Sequence, residues 1–193
     1  MRKILLMLLA VFIAERSFCQ QTSYSLPLPE KWGVEKIAFP ISFAPEIPYR
    51  GNEEIRFTPG WSNAESDEYW SYTYLWFIEG SPKINHDTLQ TYLVQYFNGL
   101  FRSNNKTKPE NKDVSFTKPQ IKRVKTAIND QETYEGKILT LNFLTGKPIE
   151  FFTRIHVRNY TNHSALLFEL SPKPYKNKVW QELDGIVNGF KYK

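Results

Sequence analysis

The sequence predicts an α+β fold, a mainly antiparallel sheet accompanied by two principal helices. Three observations predict it. Aromatic residues make up 16% of the 193 residues, and aromatic side chains favour the pleated, half-buried surface of strands. Short alternating segments with tight turns crowd the second half, the pattern of an antiparallel meander. Two other stretches repeat their apolar residues at helical spacing. With 41% hydrophobic residues the chain has neither a disordered nor an integral-membrane composition. Nine glycines, a single cysteine and no heptads exclude collagen, cysteine-framework and coiled-coil readings.

Residues 1–19 read as an export signal. Arg2 and Lys3 form its positive end, Ile4 to Ala14 an eleven-residue apolar run, and Ser17 and Cys19 the small residues before a cut ahead of Gln20. Eleven apolar residues fall short of the roughly 20 needed to span a bilayer. Phe18 and Arg16 stand where a lipoprotein signal needs a small and an aliphatic residue, which argues against a lipid on Cys19. The mature chain is therefore expected to be extracytoplasmic, in the periplasm or secreted, with no stable membrane insertion after cleavage. It would contain no cysteine, so disulfides, thiol nucleophiles and thiolate metal sites disappear together. Cleavage removes Arg2, Lys3, Arg16 and Glu15 and lowers the formal net charge from +5 to +3. That is too mild for nucleic acid, which takes a clustered basic face. Asn-x-Ser/Thr triplets start at Asn105, Asn159 and Asn162 and would matter only in a eukaryotic secretory pathway.

Past the leader, Leu26-Pro27-Leu28-Pro29 is an extended lead-in, because proline biases its predecessor to extended angles. Residues 37–44 form a strand interrupted by Pro40, which suggests an edge or a bulge. Residues 45–52 turn, and residues 54–57 form a short strand stopped by Pro59-Gly60. Residues 69–79 are the strongest strand. Tyr69, Thr73, Leu75 and Phe77 alternate with Trp70, Tyr72, Tyr74, Trp76 and Ile78, so both faces need cover and the strand is central. A helix follows, capped by Asn85 with Asp87 in its first turn, and Leu89, Tyr92, Leu93, Tyr96, Phe97 and Leu100 form its stripe. Residues 102–113 carry no large apolar side chain and read as an exposed loop. Strands are expected at 121–128, 137–143, 149–160 and 164–170, with Thr145-Gly146 turning the middle hairpin. A terminal helix starts near Asn177 and buries Val179, Trp180, Leu183, Ile186, Val187 and Phe190. No linker or repeat divides residues 20–193, which read as one domain with helices or long loops on both faces of the sheet.

The closing segment, Ala165-Leu166-Leu167-Phe168-Glu169 followed by Trp180, Leu183, Ile186-Val187 and Phe190-Lys191, resembles the last strand and helix of PsbP-like α/β/α-sandwich proteins. The opening Leu28-Pro29-Glu30-Lys31-Trp32 is also similar to that group. The likeness covers about a fifth of the chain. It implies an α/β/α sandwich used as a docking scaffold, a binding or assembly-helper role, and no catalytic residue to carry over.

Chemistry-bearing motifs are sparse. His86, His156 and His163 lack metal-ligand spacing, and the acids of loop 62–68 lack calcium-loop spacing, so no metal is expected. No nucleophile elbow and no Gly-rich phosphate loop occur, so no cofactor is expected. In the hairpin, Leu139, Leu141 and Phe143 are expected on one face with Ile149, Phe151, Ile155 and Val157, which requires an odd number of loop residues. Thr140, Asn142, Glu150, Arg154, His156 and Arg158 then take the other face. Arg154, His156 and Arg158 form a basic row at period two that could bind an anion. The favoured alternative is an ordinary sheet face whose charges meet Glu or Asp on a neighbour. Trp61, beside Pro59-Gly60, is the candidate exposed stacking residue. The expectation is an exported, non-enzymatic binding or accessory protein whose partner is an unknown protein or a small anionic ligand. The alternative is a small hydrolase or lyase using His156 with Glu150 or a nearby acid.

Overall fold

The computed structural model describes residues 23–105 and 115–193. The expected export signal and residues 106–113 of the expected loop lie outside the described residues. The elements in chain order are β1 (Tyr24–Ser25), β2 (Gly33–Ala38), β3 (Gly51–Phe57), β4 (Tyr72–Glu79), α1 (His86–Asn104) and β5 (Lys118–Arg123). They continue with β6 (Glu132–Leu141), β7 (Pro148–Asn159), β8 (His163–Ser171), α2 (Val179–Asn188) and β9 (Lys191–Tyr192). The fold is α+β. Seven strands form an antiparallel sheet in the order β2-β3-β4-β8-β7-β6-β5, and β1 pairs with β9 in a separate ribbon.

The two-sided apolar pattern of β4 finds cover on both sides, and each helix takes one face. Asn85 Oδ1 accepts the Thr88 N–H at 3.0 Å and starts α1. Leu89, Leu93, Tyr96 and Phe97 then pack with Tyr72, Tyr74, Trp76 and Phe168. On the opposite face Val187 of α2 packs with Leu75, Phe77 and Leu167, while Trp180 and Leu183 pack near Phe152 and Tyr175. Fully burying one such side chain contributes about 1.5–3 kcal/mol. Polar bonds fasten the lead-in as well. Tyr24 donates to Glu54 at 2.6 Å, and Arg56 pairs with Glu54 while donating to the carbonyls of Pro27 at 2.8 Å and Leu26 at 3.2 Å.

Several boundaries differ from expectation, each for a local reason. β2 starts at Gly33 and ends at Ala38, ahead of Pro40, which has no N–H for a ladder. β3 starts at Gly51 instead of residue 54; its φ is +127°, and an added Cβ would lie 2.1 Å from the Phe77 carbonyl oxygen. Residues 69–71 are loop, not strand, and Arg102 to Asn104 complete α1 instead of opening a loop. β5 sits at Lys118–Arg123 rather than 121–128; it is an edge strand, where Pro119 is tolerated.

The hairpin register is also different. Leu141 pairs with Pro148, Asn142 N–H donates to Lys147 O at 2.8 Å, and an even number of residues turns between them. β7 faces as expected, but Ile138 and Thr140, not Leu139 and Leu141, share the inner face with Phe151 and Ile149. Leu139 is 39% exposed. Asn142 sets this geometry by accepting from the Leu144 and Thr145 N–H groups at 2.8 and 3.2 Å.

Candidate functional site

Where the β2, β3 and β4 end of the sheet meets α1, a cavity of about 120 Å³ opens. Loop 58–71 builds one wall. Thr58 Oγ1 donates to the carbonyls of Ser71 and Glu68 at 2.9 and 3.1 Å, and Glu68 Oε2 accepts the Gly60 N–H at 2.6 Å. Trp70 N–H donates to Trp61 O at 2.9 Å, which ties the two indoles together. Their ring centroids are 5.0 Å apart. Trp70 has φ +52°, a left-handed backbone that a bulky side chain adopts only under constraint. Such outliers cluster at functional sites.

Trp70, Tyr72, Tyr96 and Ile55 form the buried floor, and half-buried Phe57, Trp61, Phe43 and Phe143 surround the mouth. Gly99 allows α1 to approach Phe43, since a Cβ there would lie 1.9 Å from the Phe43 carbonyl oxygen. Among the described residues lining the cavity, Glu35 alone is charged, and it is exposed. Trp61 Nε1 and Trp70 Nε1 are buried with no hydrogen-bond partner. Trp61, expected as an exposed stacking residue, is instead half-buried in an aromatic cluster with Phe57 and Trp70 at the cavity mouth.

Behind Tyr96 lies Glu53, 0% exposed. Its carboxylate accepts from Trp76 Nε1 at 2.6 Å and from the Tyr96 hydroxyl at 2.8 Å. Burial pushes its pKa from 4.5 up to about 7, the two donors oppose the rise, and the nearby Glu35 charge adds to it. The folded-state value lies above the unfolded one. Glu53's contribution to stability is therefore fully present below about pH 4.5 and is lost as pH rises through about 7. From about pH 5 to about pH 8 this group should cost the fold roughly 3 kcal/mol. Urea denaturation at the two pH values should show a smaller decline for Glu53→Gln than for the wild type; an equal decline would refute the assignment.

The basic row occupies the opposite face of the sheet, under α2. His156 Nδ1 is 2.7 Å from Asp130 Oδ2, and His156 Nε2 is 3.4 Å from Glu169 Oε2. Arg158 Nε donates to Asp130 Oδ1 at 2.8 Å, and its Nη1 donates to Val187 O at 3.2 Å. Arg154 donates to Glu135 at 2.8 Å and to Asp184 at 2.6 Å, with Glu169 at 3.4 Å. Burial opposes charge on His156, but its bonds to Asp130 and Glu169 prevail and raise its pKa. The same partnership holds Asp130 below the usual carboxylate range against the effect of burial. Burial dominates at Glu169, whose pKa is raised. His156 is 4% exposed, and the acids beside it are Asp130 and Glu169. Glu150, the acid named with it from the sequence, instead meets Lys137 at 2.6 Å.

The sheet therefore separates Trp61 from Arg154, His156 and Arg158. Sequence reasoning missed Trp70 and Glu53 as site residues. Adjacent acids inside a strand, Glu53-Glu54, are the one signal that pointed to Glu53, because one of them has to face the inner side. Among the described residues, no group of three or more His, Cys, Asp or Glu is placed to hold a metal ion, and no helix is long and apolar enough to cross a membrane.

No family model and no curated protein sequence matches the chain. One solved structure with which it aligns is LpqN, involved in cell envelope biogenesis of Mycobacterium tuberculosis. The alignment covers 87% of this chain and 82% of that one at 11% identity, with a TM-score of 0.35. At that level no residue role passes from one protein to the other.

Proposed function

We propose that this is an exported, non-enzymatic binding or accessory protein, built as a PsbP-like α/β/α sandwich, whose ligand enters the aromatic cavity beside α1. The export signal in the sequence supports the location. One observation carries the site: a cavity walled by Trp61, Trp70, Tyr72 and Tyr96, with Trp70 held in a left-handed backbone conformation. The cavity is preferred to the Arg154, His156 and Arg158 row because the donors there already meet carboxylates and a backbone carbonyl.

The test is a titration of the protein with a panel of compact single-ring and branched organic probes, read by tryptophan fluorescence and melting temperature. Members of the panel should give saturable quenching and raise the melting temperature, and Trp61→Ala should remove both while keeping the circular dichroism spectrum. A panel without a single saturable binder would overturn the reading.

A further inference from the structure

Taking the cavity as the binding site, we propose that its ligand carries a quaternary ammonium group, a trimethylammonium head of the choline type. Size comes first. The volume of about 120 Å³ is close to the ~150 Å³ of a cavity that holds a benzene ring, so the space suits a compact head and not a long chain.

Charge selects the sign. Phe57, Trp61, Trp70, Tyr72 and Tyr96 crowd the space with aromatic rings, whose negative faces attract cations. The single charged residue at the rim is an acid, Glu35. Tyr96 donates its hydroxyl proton to Glu53 at 2.8 Å, which enriches the ring in electron density. The Glu35 charge is felt at buried Glu53, so a cation beside Glu35 offsets that field. An anion would meet the opposite field.

Hydrogen bonding then selects the kind of cation. Apart from Glu35 at the exposed rim, the lining side chains are aromatic or aliphatic. A primary ammonium entering such a site would give up hydration of three N–H groups and find few acceptors. A fully alkylated nitrogen has no N–H to satisfy. It spreads its charge over methyl groups that pack on aromatic carbon, the pattern by which aromatic cages recognise choline-like cations.

The experiment compares four small probes on the intact protein by calorimetry and tryptophan fluorescence: tetramethylammonium, choline, ethanolamine, and 3,3-dimethylbutanol, the neutral carbon isostere of choline. Choline and tetramethylammonium should bind saturably, the neutral isostere should bind about tenfold more weakly, and ethanolamine should not bind. Glu35 is exposed, so Glu35→Gln keeps the fold; it should weaken choline about fivefold to tenfold and leave the isostere unchanged.

Equal affinity for choline and the isostere, or no effect of Glu35→Gln on choline, overturns the proposal. If compact neutral probes bind and choline does not, the cavity remains the binding site and the quaternary ammonium assignment fails; if nothing binds, both fail. A second arm separates free cation from lipid headgroup. Cosedimentation with phosphatidylcholine but not phosphatidylglycerol vesicles assigns the headgroup, and choline binding without cosedimentation assigns the free cation. Either result upholds the assignment.

Discussion

Deleting residues 177–193 should leave protein that does not fold, and Trp180→Ala alone should lower stability by about 3–5 kcal/mol. Both effects arise from α2. The helix buries Val179, Trp180, Leu183, Ile186 and Val187, and helices this short are marginal alone in water. Trp180 also donates its indole N–H to Lys173 O at 2.9 Å, so truncation leaves that carbonyl without its partner. The deletion further removes β9, the partner of β1, and the Asp184 carboxylate that meets Arg154. A loss of 3–5 kcal/mol is a large share of the ~5–15 kcal/mol that holds a domain folded. Thermal melts and urea midpoints are the measurement. A deletion variant that melted within a few degrees of the intact chain would make α2 an appendage to the sheet.

Asp130→Ala should be nearly as damaging, by about 3–5 kcal/mol, because it leaves two buried cationic groups short of a partner. Asp130's side chain is fully buried between His156 and Arg158, and it also accepts from Thr133 Oγ1 at 2.6 Å. The pH dependence distinguishes this loss from simple loss of packing. Asp130's folded pKa is depressed, so its contribution is present above the ordinary 3.8 and fades as pH falls through the lower folded value. His156's folded pKa is raised, so its contribution is complete below the ordinary 6.5 and is lost as pH rises through the higher folded value. The gap between wild type and variant should be widest at about pH 5–6 and narrow on both sides. A gap that stayed constant with pH would mean that Asp130 supports the turn at 124–131 and not the charge pair.

The sequence made some of this legible, and the reason differs by element. The β4 strand and both helices carry strong periodic patterns, and packing on two faces is what such patterns encode. β6 carries Ile138, Leu139, Thr140 and Leu141 in succession, so apolar residues fall on both faces and the pattern alone does not fix the register. The choice fell to Asn142, whose bonds to Leu144 and Thr145 set the turn. β5 is a polar edge strand, and β1 and β9 are two residues each, too short for any periodicity to register. At the candidate sites, the period-two row of Arg154, His156 and Arg158 was visible, but its partners Asp130, Glu169 and Asp184 come from a turn, a strand and a helix elsewhere in the chain. Trp61 could be noticed beside Pro59-Gly60. The adjacent pair Glu53-Glu54 implies that one acid faces inward but not what holds it there, because the hydroxyl bonded to Glu53 belongs to Tyr96, 43 residues away.

The β1–β9 ribbon gives the molecule a mechanical character. Lys193 N–H donates to Ser23 O at 2.8 Å beside the Tyr24–Tyr192 pair, so residues 23 and 193 lie at the same end of two antiparallel strands. Tension applied between those residues pulls across the ribbon, not along it, and its bonds open in succession like a zip. The seven-stranded sheet carries no load until the ribbon has parted. A tether on either side of the described chain would first draw Phe190 and Tyr24 out of their cluster over Phe77. Aromatic contacts on the α2 face would thus yield under force before those around the cavity on the α1 face.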